Sequence, residues 1–200
     1  MVEIADARHA VALGRALIAG GLPVAEITFR TDAAADAMAA LRDECPEILV
    51  GAGTVLDTRD ADRAVAAGAS FLVAPGFNPT VVRHARDRGV PMIPGVCTPS
   101  EIEQALEFAP PVLKFFPAEA SGGVGFLRAL AGPYRSVRFV PTGGIGPVNL
   151  AAYLALPQVV ACGGSWMVPP DRIAAGDLGA VERLAREAVE AVTASRAMSG

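Results

Sequence analysis

Lysine is nearly missing from this chain of 200 residues: of seventeen Lys and Arg, sixteen are Arg and one, Lys114, is Lys. Cysteine is scarce as well. Cys45, Cys97 and Cys162 are odd in number and widely spaced, which excludes a disulfide framework or a CxxC metal pair and suits a reducing cytoplasm. Only two histidines occur, His9 and His84, both on expected helices away from any strand end, so metal ligands are in poor supply. Positive charge is not in excess. The net charge is −4 with no run of Lys or Arg, which argues against a nucleic-acid partner. Early charges at Glu3, Asp6 and Arg8 leave no apolar core for a signal peptide. Two uncharged stretches, 64–82 and 139–170, are broken by Gly68, Pro75-Gly76, Pro141, Gly143-Gly144, Pro157 and Gly163-Gly164. Neither keeps the roughly 20 unbroken apolar residues of a membrane span. A soluble chain with no membrane partner is expected, and its length suits one domain over residues 1–200.

What the chain does have is an alternation. Short Val/Ile/Phe-rich runs bounded by Gly or Pro recur between Ala-rich helical stretches. The pattern predicts strands at 2–5, 22–29, 48–51, 71–74, 91–93, 112–116, 137–140 and 159–162. It predicts helices at 7–19, 33–44, 58–67, 79–88, 99–108, 123–130, 147–154 and 178–193, with Pro99 and Pro147 in first turns and Gly68 and Gly89 just past helix ends. Apolar strands alternating with helices mean a parallel sheet covered on both faces. Eight such units predict a compact, single-domain α/β (β/α)8 TIM barrel, with a shortened first strand that a late start codon would produce.

Lys114 sits in Val112-Leu113-Lys114-Phe115-Phe116-Pro117, apolar on both sides. A solvated surface charge could have been arginine, like the other sixteen. An amine that must lose its proton could not, because a guanidinium stays charged. Burial disfavours the ammonium, and a neutral amine is what a Schiff-base nucleophile requires. A lysine snorkelling from a strand end is the alternative. Alternation puts Val24, Glu26, Thr28 and Arg30 on one face of the second predicted strand, and Lys114 with Phe116 on one face of the sixth. Both strands are even-numbered, so Glu26 and Lys114 should meet across the barrel interior. A structural ion pair would produce the same juxtaposition.

Two Gly-Gly turns end the seventh and eighth predicted strands, Pro141-Thr142-Gly143-Gly144-Ile145 and Cys162-Gly163-Gly164-Ser165-Trp166. Barrel enzymes often seat a substrate phosphate in these two loops. Thr142, Gly143, Gly144, Gly164 and Ser165 in these loops are candidate substrate-binding residues. Gly51-Ala52-Gly53-Thr54 lacks the Gly-Lys-Ser/Thr of a phosphate-binding P-loop; Thr54 offers a hydroxyl to a carboxylate at the barrel mouth. Glu119 is expected to cap the following helix, and Glu101 to form an acidic first turn.

Taken in order, Glu26-Ile27-Thr28-Phe29-Arg30-Thr31, Gly51-Ala52-Gly53-Thr54-Val55, Pro94-Gly95-Val96-Cys97-Thr98-Pro99-Ser100-Glu101, Lys114-Phe115-Phe116-Pro117-Ala118-Glu119 and the two Gly-Gly loops closely resemble the bacterial class I 2-keto-3-deoxy-6-phosphogluconate (KDPG) / 4-hydroxy-2-oxoglutarate aldolases. The likeness runs from about residue 10 to 191. It implies a cytoplasmic homotrimeric barrel acting in the Entner-Doudoroff pathway without cofactor or metal. It implies Lys114 as Schiff-base residue and Glu26 as general acid/base. Arg30 and Thr54 would meet the pyruvyl carboxylate, and Gly143, Gly144 and Ser165 the phosphate. Pro75, Pro94 and Phe116 would line the pocket. The C4-epimeric 6-phosphogalactonate aldolases, a phosphate-binding barrel isomerase and a non-catalytic sugar-phosphate binder remain open alternatives.

Overall fold

The computed structural model of the protein describes residues 1–197. Seven parallel strands alternate with helices: β1 (Val24–Thr28), β2 (Leu49–Gly53), β3 (Phe71–Val73), β4 (Met92–Ile93), β5 (Gly95–Val96), β6 (Leu113–Phe115) and β7 (Phe139–Pro141). The order is β1-β2-β3-β4 in one sheet and β5-β6-β7 in another. One buried residue, Pro94, separates them. It has no N–H to give, but its carbonyl accepts from Lys114 N at 2.9 Å, so 92–96 acts as a single interrupted strand. The first predicted strand contributes one parallel bridge, Val2 to Ile27, and the eighth contributes bridges from Val159 and Gly163 to the β7 segment. These two ends are joined where the Met1 nitrogen donates to Gly164 O at 2.9 Å. The sheet thus wraps round as a (β/α)8 TIM barrel whose first and last staves are reduced to bridges.

The helices are α1 (Ala10–Ala19, after a 3-10 turn at Ala7–His9), α2 (Ala34–Glu44), α3 (Thr58–Ala66), α4 (Pro79–Asp87), α5 (Pro99–Leu106), α6 (Gly123–Ala131), α7 (Leu150–Leu154), α8 (Pro170–Ala174) and α9 (Leu178–Ala197). Side chains start several of them. Asp57 accepts from Asp60 N, Asn78 from Thr80 N ahead of Pro79, and Thr98 with Glu101 forms a reciprocal capping box ahead of Pro99, each satisfying an otherwise orphaned N–H. Two elements differ from expectation. α8 is a five-residue helix without a sequence signal. α7 starts at Leu150 and not at Pro147, because the Asn149 side chain holds the preceding loop open by bonding Gly146 N and Gly144 O.

Strands of two to five residues supply few ladder bonds, so packing of the helix-facing side chains dominates. Ala25, Ile27, Val50, Ala52, Leu72, Leu113, Phe115 and Phe139 are all buried under the helices, the larger ones each contributing roughly 1.5–3 kcal/mol. One cluster of such residues draws on 2–92 together with 168–185 and a second serves 96–159, with Phe77 touching both.

Candidate active site

Alternation along β1 sends Ala25 and Ile27 outward and Glu26 inward. On β6 it sends Leu113 and Phe115 outward and Lys114 inward. The strands are not neighbours, yet Lys114 Nζ lies 3.5 Å from Glu26 Oε1. Lys114 is 4% exposed. Burial pulls its pKa below that of a free lysine; the Glu26 charge and hydrogen bond oppose the shift, and the Arg30 charge adds to it. The Phe116 ring lies 5.2 Å from the amine. The predicted pair has therefore formed, with burial lowering the pKa of the amine.

Glu26 owes its position to a residue that has no side chain. A Cβ on Gly53 would lie 2.2 Å from Glu26 Oε1 and 2.8 Å from Cγ, well inside contact distance. The carboxylate occupies the space that any other residue at 53 would fill.

The mouth is built by the strand ends. β1 stops at Thr28, so Arg30 leaves the strand's alternation and lies in the turn beyond it. There its half-exposed side chain faces Glu3, with Nη1 to Oε2 at 3.5 Å. Thr54, just past β2, has φ +60°. A β-branched residue in the left-handed region is an outlier costing about 1–3 kcal/mol, and such strain gathers at functional sites. Pro75 follows β3, and its carbonyl oxygen lies 2.1 Å from where a Cβ on Gly95 would sit. That brings the Pro75 turn against the Pro94-Gly95 segment.

The two Gly-Gly loops lie side by side through the Thr142–Gly163 bridge. In the first, Thr142 O and Gly143 O accept from Ala118 N at 2.8 Å and Glu119 N at 3.1 Å. Gly144 O accepts from Asn149 Nδ2 at 3.0 Å. Every one of these carbonyls is turned away. Among the described residues no protein group accepts from the N–H of Gly143, Gly144, Ile145, Gly164 or Ser165. Free N–H groups beside tied carbonyls make a concavity for an anion. Phe116 reaches this loop too, its ring carbons 3.4 Å from where a Gly143 Cβ would be.

A cavity of about 410 Å³ runs from Lys114, Glu26, Thr142 and Gly164 past Val24, Val73 and Ile93 to Val189 and Val192 of α9. Arg30, Thr54, Pro75, Pro94, Phe116, Gly143, Gly144 and Ser165 do not line it; they belong to the strand ends and the loops beyond. Glu119 does not cap α6, whose N-cap is Gly122. Its Oε1 instead accepts a hydrogen bond from the Tyr153 hydroxyl. Sequence reasoning missed Tyr153 and Asn149, which brace the first loop; the Asn149 side chain three residues after Gly146 was the one legible sign. Among the described residues no group of three or more His, Cys, Asp or Glu could hold a metal ion, and no helix is long and apolar enough to cross a membrane.

A buried, depressed lysine facing one carboxylate can form a carbinolamine and an imine with a ketone and pass protons on one side of it. Comparison with known proteins agrees with that chemistry. Residues 1–184 match the family described as "Aldolase: KDPG and KHG aldolase". The 2-dehydro-3-deoxy-phosphogluconate aldolase of Treponema pallidum is 55% identical over 96% of this chain and 91% of its own. The KDPG aldolase of Legionella pneumophila, solved with pyruvate captured at low pH as a covalent carbinolamine intermediate, superposes with TM-score 0.91 at 38% identity, covering 94% and 91% of the two chains. The 2-keto-3-deoxy-6-phosphogluconate aldolase of Zymomonas mobilis, solved with 3-phosphoglycerate, superposes with TM-score 0.87 at 40% identity, covering 94% and 88%. With the lysine, the carboxylate and the two glycine loops in place on the same barrel, the chain belongs to the KDPG and KHG aldolase family.

Proposed function

We propose that the protein is a class I aldolase that cleaves 2-keto-3-deoxy-6-phosphogluconate to pyruvate and glyceraldehyde 3-phosphate through an imine on Lys114. The observation that carries the reading is the buried Lys114 amine, its pKa lowered, 3.5 Å from Glu26. Neutral Lys114 adds to the C2 ketone, and loss of one water with uptake of one proton leaves a protonated imine. Glu26 takes the C4 hydroxyl proton. The C3–C4 bond breaks, its electrons pass into the enamine, and the aldehyde leaves. Glu26 returns the proton to C3, and one water, replacing the one lost, releases pyruvate, the free amine and the proton taken up when the imine formed.

Arg30 and Thr54 hold the pyruvyl carboxylate in this reading. A planar fork suits a carboxylate, and the strained Thr54 backbone fits a residue kept for its hydroxyl. Pro75, Pro94 and Phe116 enclose the reacting carbons. Gly143, Gly144, Gly164 and Ser165, with Thr142 beneath them, hold the phosphate, whose binding energy is applied far from the bond that breaks. The matched family is named for KHG as well as KDPG, which supports 4-hydroxy-2-oxoglutarate as a second substrate, giving pyruvate and glyoxylate. Family resemblance extends the proposal to a cytoplasmic, single-domain homotrimer in the Entner-Doudoroff pathway.

The test is borohydride reduction in the presence of pyruvate, with peptide mapping, alongside a coupled pyruvate-release assay on both C4 epimers. One reduced adduct on Lys114 and faster release from the gluconate epimer are expected. An unmodified Lys114 under saturating pyruvate refutes the mechanism. Preference for the galactonate epimer refutes the substrate assignment.

A further inference from the structure

Tyr153 is fully buried in α7, and among the described residues its hydroxyl has one partner, the carboxylate of Glu119 in the loop after β6. Burial first, and then that carboxylate, raise the phenol's pKa above its ordinary value, so it stays a donor. Glu119 is itself on the surface, yet its side chain is drawn inward across the first glycine loop. A Cβ on Gly144 would lie 2.8 Å from Glu119 Cβ and from Cγ. With φ +77° at Gly144 as well, this is a place where only glycine fits. The stem of Glu119 therefore packs on a loop whose N–H groups at Gly143 and Gly144 have no acceptor among the described residues. A carboxylate is a strong acceptor for such groups. Left unrestrained, Glu119 could close on them and fill the space meant for an anion.

We propose that Tyr153 is a positioning residue that holds the Glu119 carboxylate away from the open N–H groups of the Gly143–Gly144 loop, keeping that loop free for the substrate phosphate. The inference rests on the phosphate reading above and deepens it. It also accounts for an acid placed next to an anion site: Glu119 N fixes Gly143 O, its stem packs on Gly144, and its charge is taken up by the phenol.

The test uses the full chain and four variants: Tyr153→Phe, which keeps the ring and loses the donor; Glu119→Asp, whose shorter arm cannot reach the phenol; Glu119→Gln; and Tyr153→Phe with Glu119→Gln. The readouts are kcat and KM for the 6-phosphorylated substrate and for unphosphorylated 4-hydroxy-2-oxoglutarate, and the inhibition constant of inorganic phosphate. Tyr153→Phe and Glu119→Asp should each raise the phosphorylated-substrate KM and the phosphate inhibition constant about tenfold, the size of a lost charged hydrogen bond. kcat and the unphosphorylated KM should stay within about twofold of the parent, the scatter of neutral substitutions. Glu119→Gln alone should behave as the parent, and the double variant should recover most of the loss, because a neutral amide competes poorly for the loop. Since Glu119 lies on the surface, Glu119→Asp keeps the test alive if the buried change harms folding. A parent enzyme inhibited by phosphate whose Tyr153→Phe and Glu119→Asp forms are inhibited equally overturns the role of the pair alone. So does an equal rise in KM for both substrates, which would mean general loosening. A parent indifferent to phosphate overturns the phosphate reading and this role together.

Discussion

Gly53→Ala is a one-carbon test of whether the position of Glu26 governs the chemistry. The new Cβ would fall 2.2 Å from Glu26 Oε1 and 2.8 Å from Cγ, against an ordinary C···O or C···C contact of roughly 3.5 Å. The carboxylate must retreat by about 1 Å, a displacement that costs a catalytic group about 10²-fold, or near 2.7 kcal/mol of transition-state stabilisation. The backbone has no reason to object: Gly53 lies in β2 outside the left-handed region, and alanine in a strand removes unfolded-chain entropy, worth about 0.4–1 kcal/mol. Activity and stability should therefore move in opposite directions. Exchange of the pyruvate methyl protons, followed by NMR in deuterium oxide, should slow by about 10²-fold, while Tm holds or rises. Imine trapping by borohydride should continue, since Lys114 is untouched. Methyl exchange at the parental rate in a folded Gly53→Ala protein would refute the reasoning.

Three further expectations follow from the same geometry. In Glu26→Gln the midpoint of the pH profile for borohydride trapping should move down from the parent's, because the raising influence on Lys114 is lost while burial still lowers it; an upward move would refute the assigned causes. Lys114→Arg keeps a cation but cannot deprotonate, and should reduce pyruvate release by about 10⁴-fold or more, the loss expected when the covalent route is closed; near-parental turnover would mean another nucleophile. Thr54→Gly relaxes φ +60° and should hold or raise Tm while increasing KM for pyruvate, the signature of strain kept for a hydroxyl; a lowered Tm with unchanged KM would remove Thr54 from the carboxylate site.

The barrel and the pairing of Lys114 with Glu26 were legible because each rests on a local rule. Period-two alternation with Gly and Pro boundaries marked the strands, and one lysine among sixteen arginines marked the amine. The elements that escaped sequence reasoning are those set by partners distant in the chain. The first strand pairs only at Val2, the five-residue α8 is too short to carry a period, and the start of α7 is set by the Asn149 side chain. Arg30 was expected on the inward face of the second strand, but that strand ends at Thr28 and the side chain faces Glu3. Glu119 looked like a helix cap because acids favour first turns; a buried phenol 34 positions away takes it instead.

The residue types along the chain by themselves determined that the protein folds as alternating strands and helices, that its one lysine would sit in apolar surroundings, and that glycine loops would follow the last strands. Tertiary structure alone decided that Lys114 and Glu26 stand 3.5 Å apart, that Gly53 makes room for the acid, and that Tyr153 restrains Glu119. The physical reason is range. Propensity and periodicity act over a few residues, whereas the field, desolvation and steric exclusion that shape an active site come from atoms brought together across the barrel.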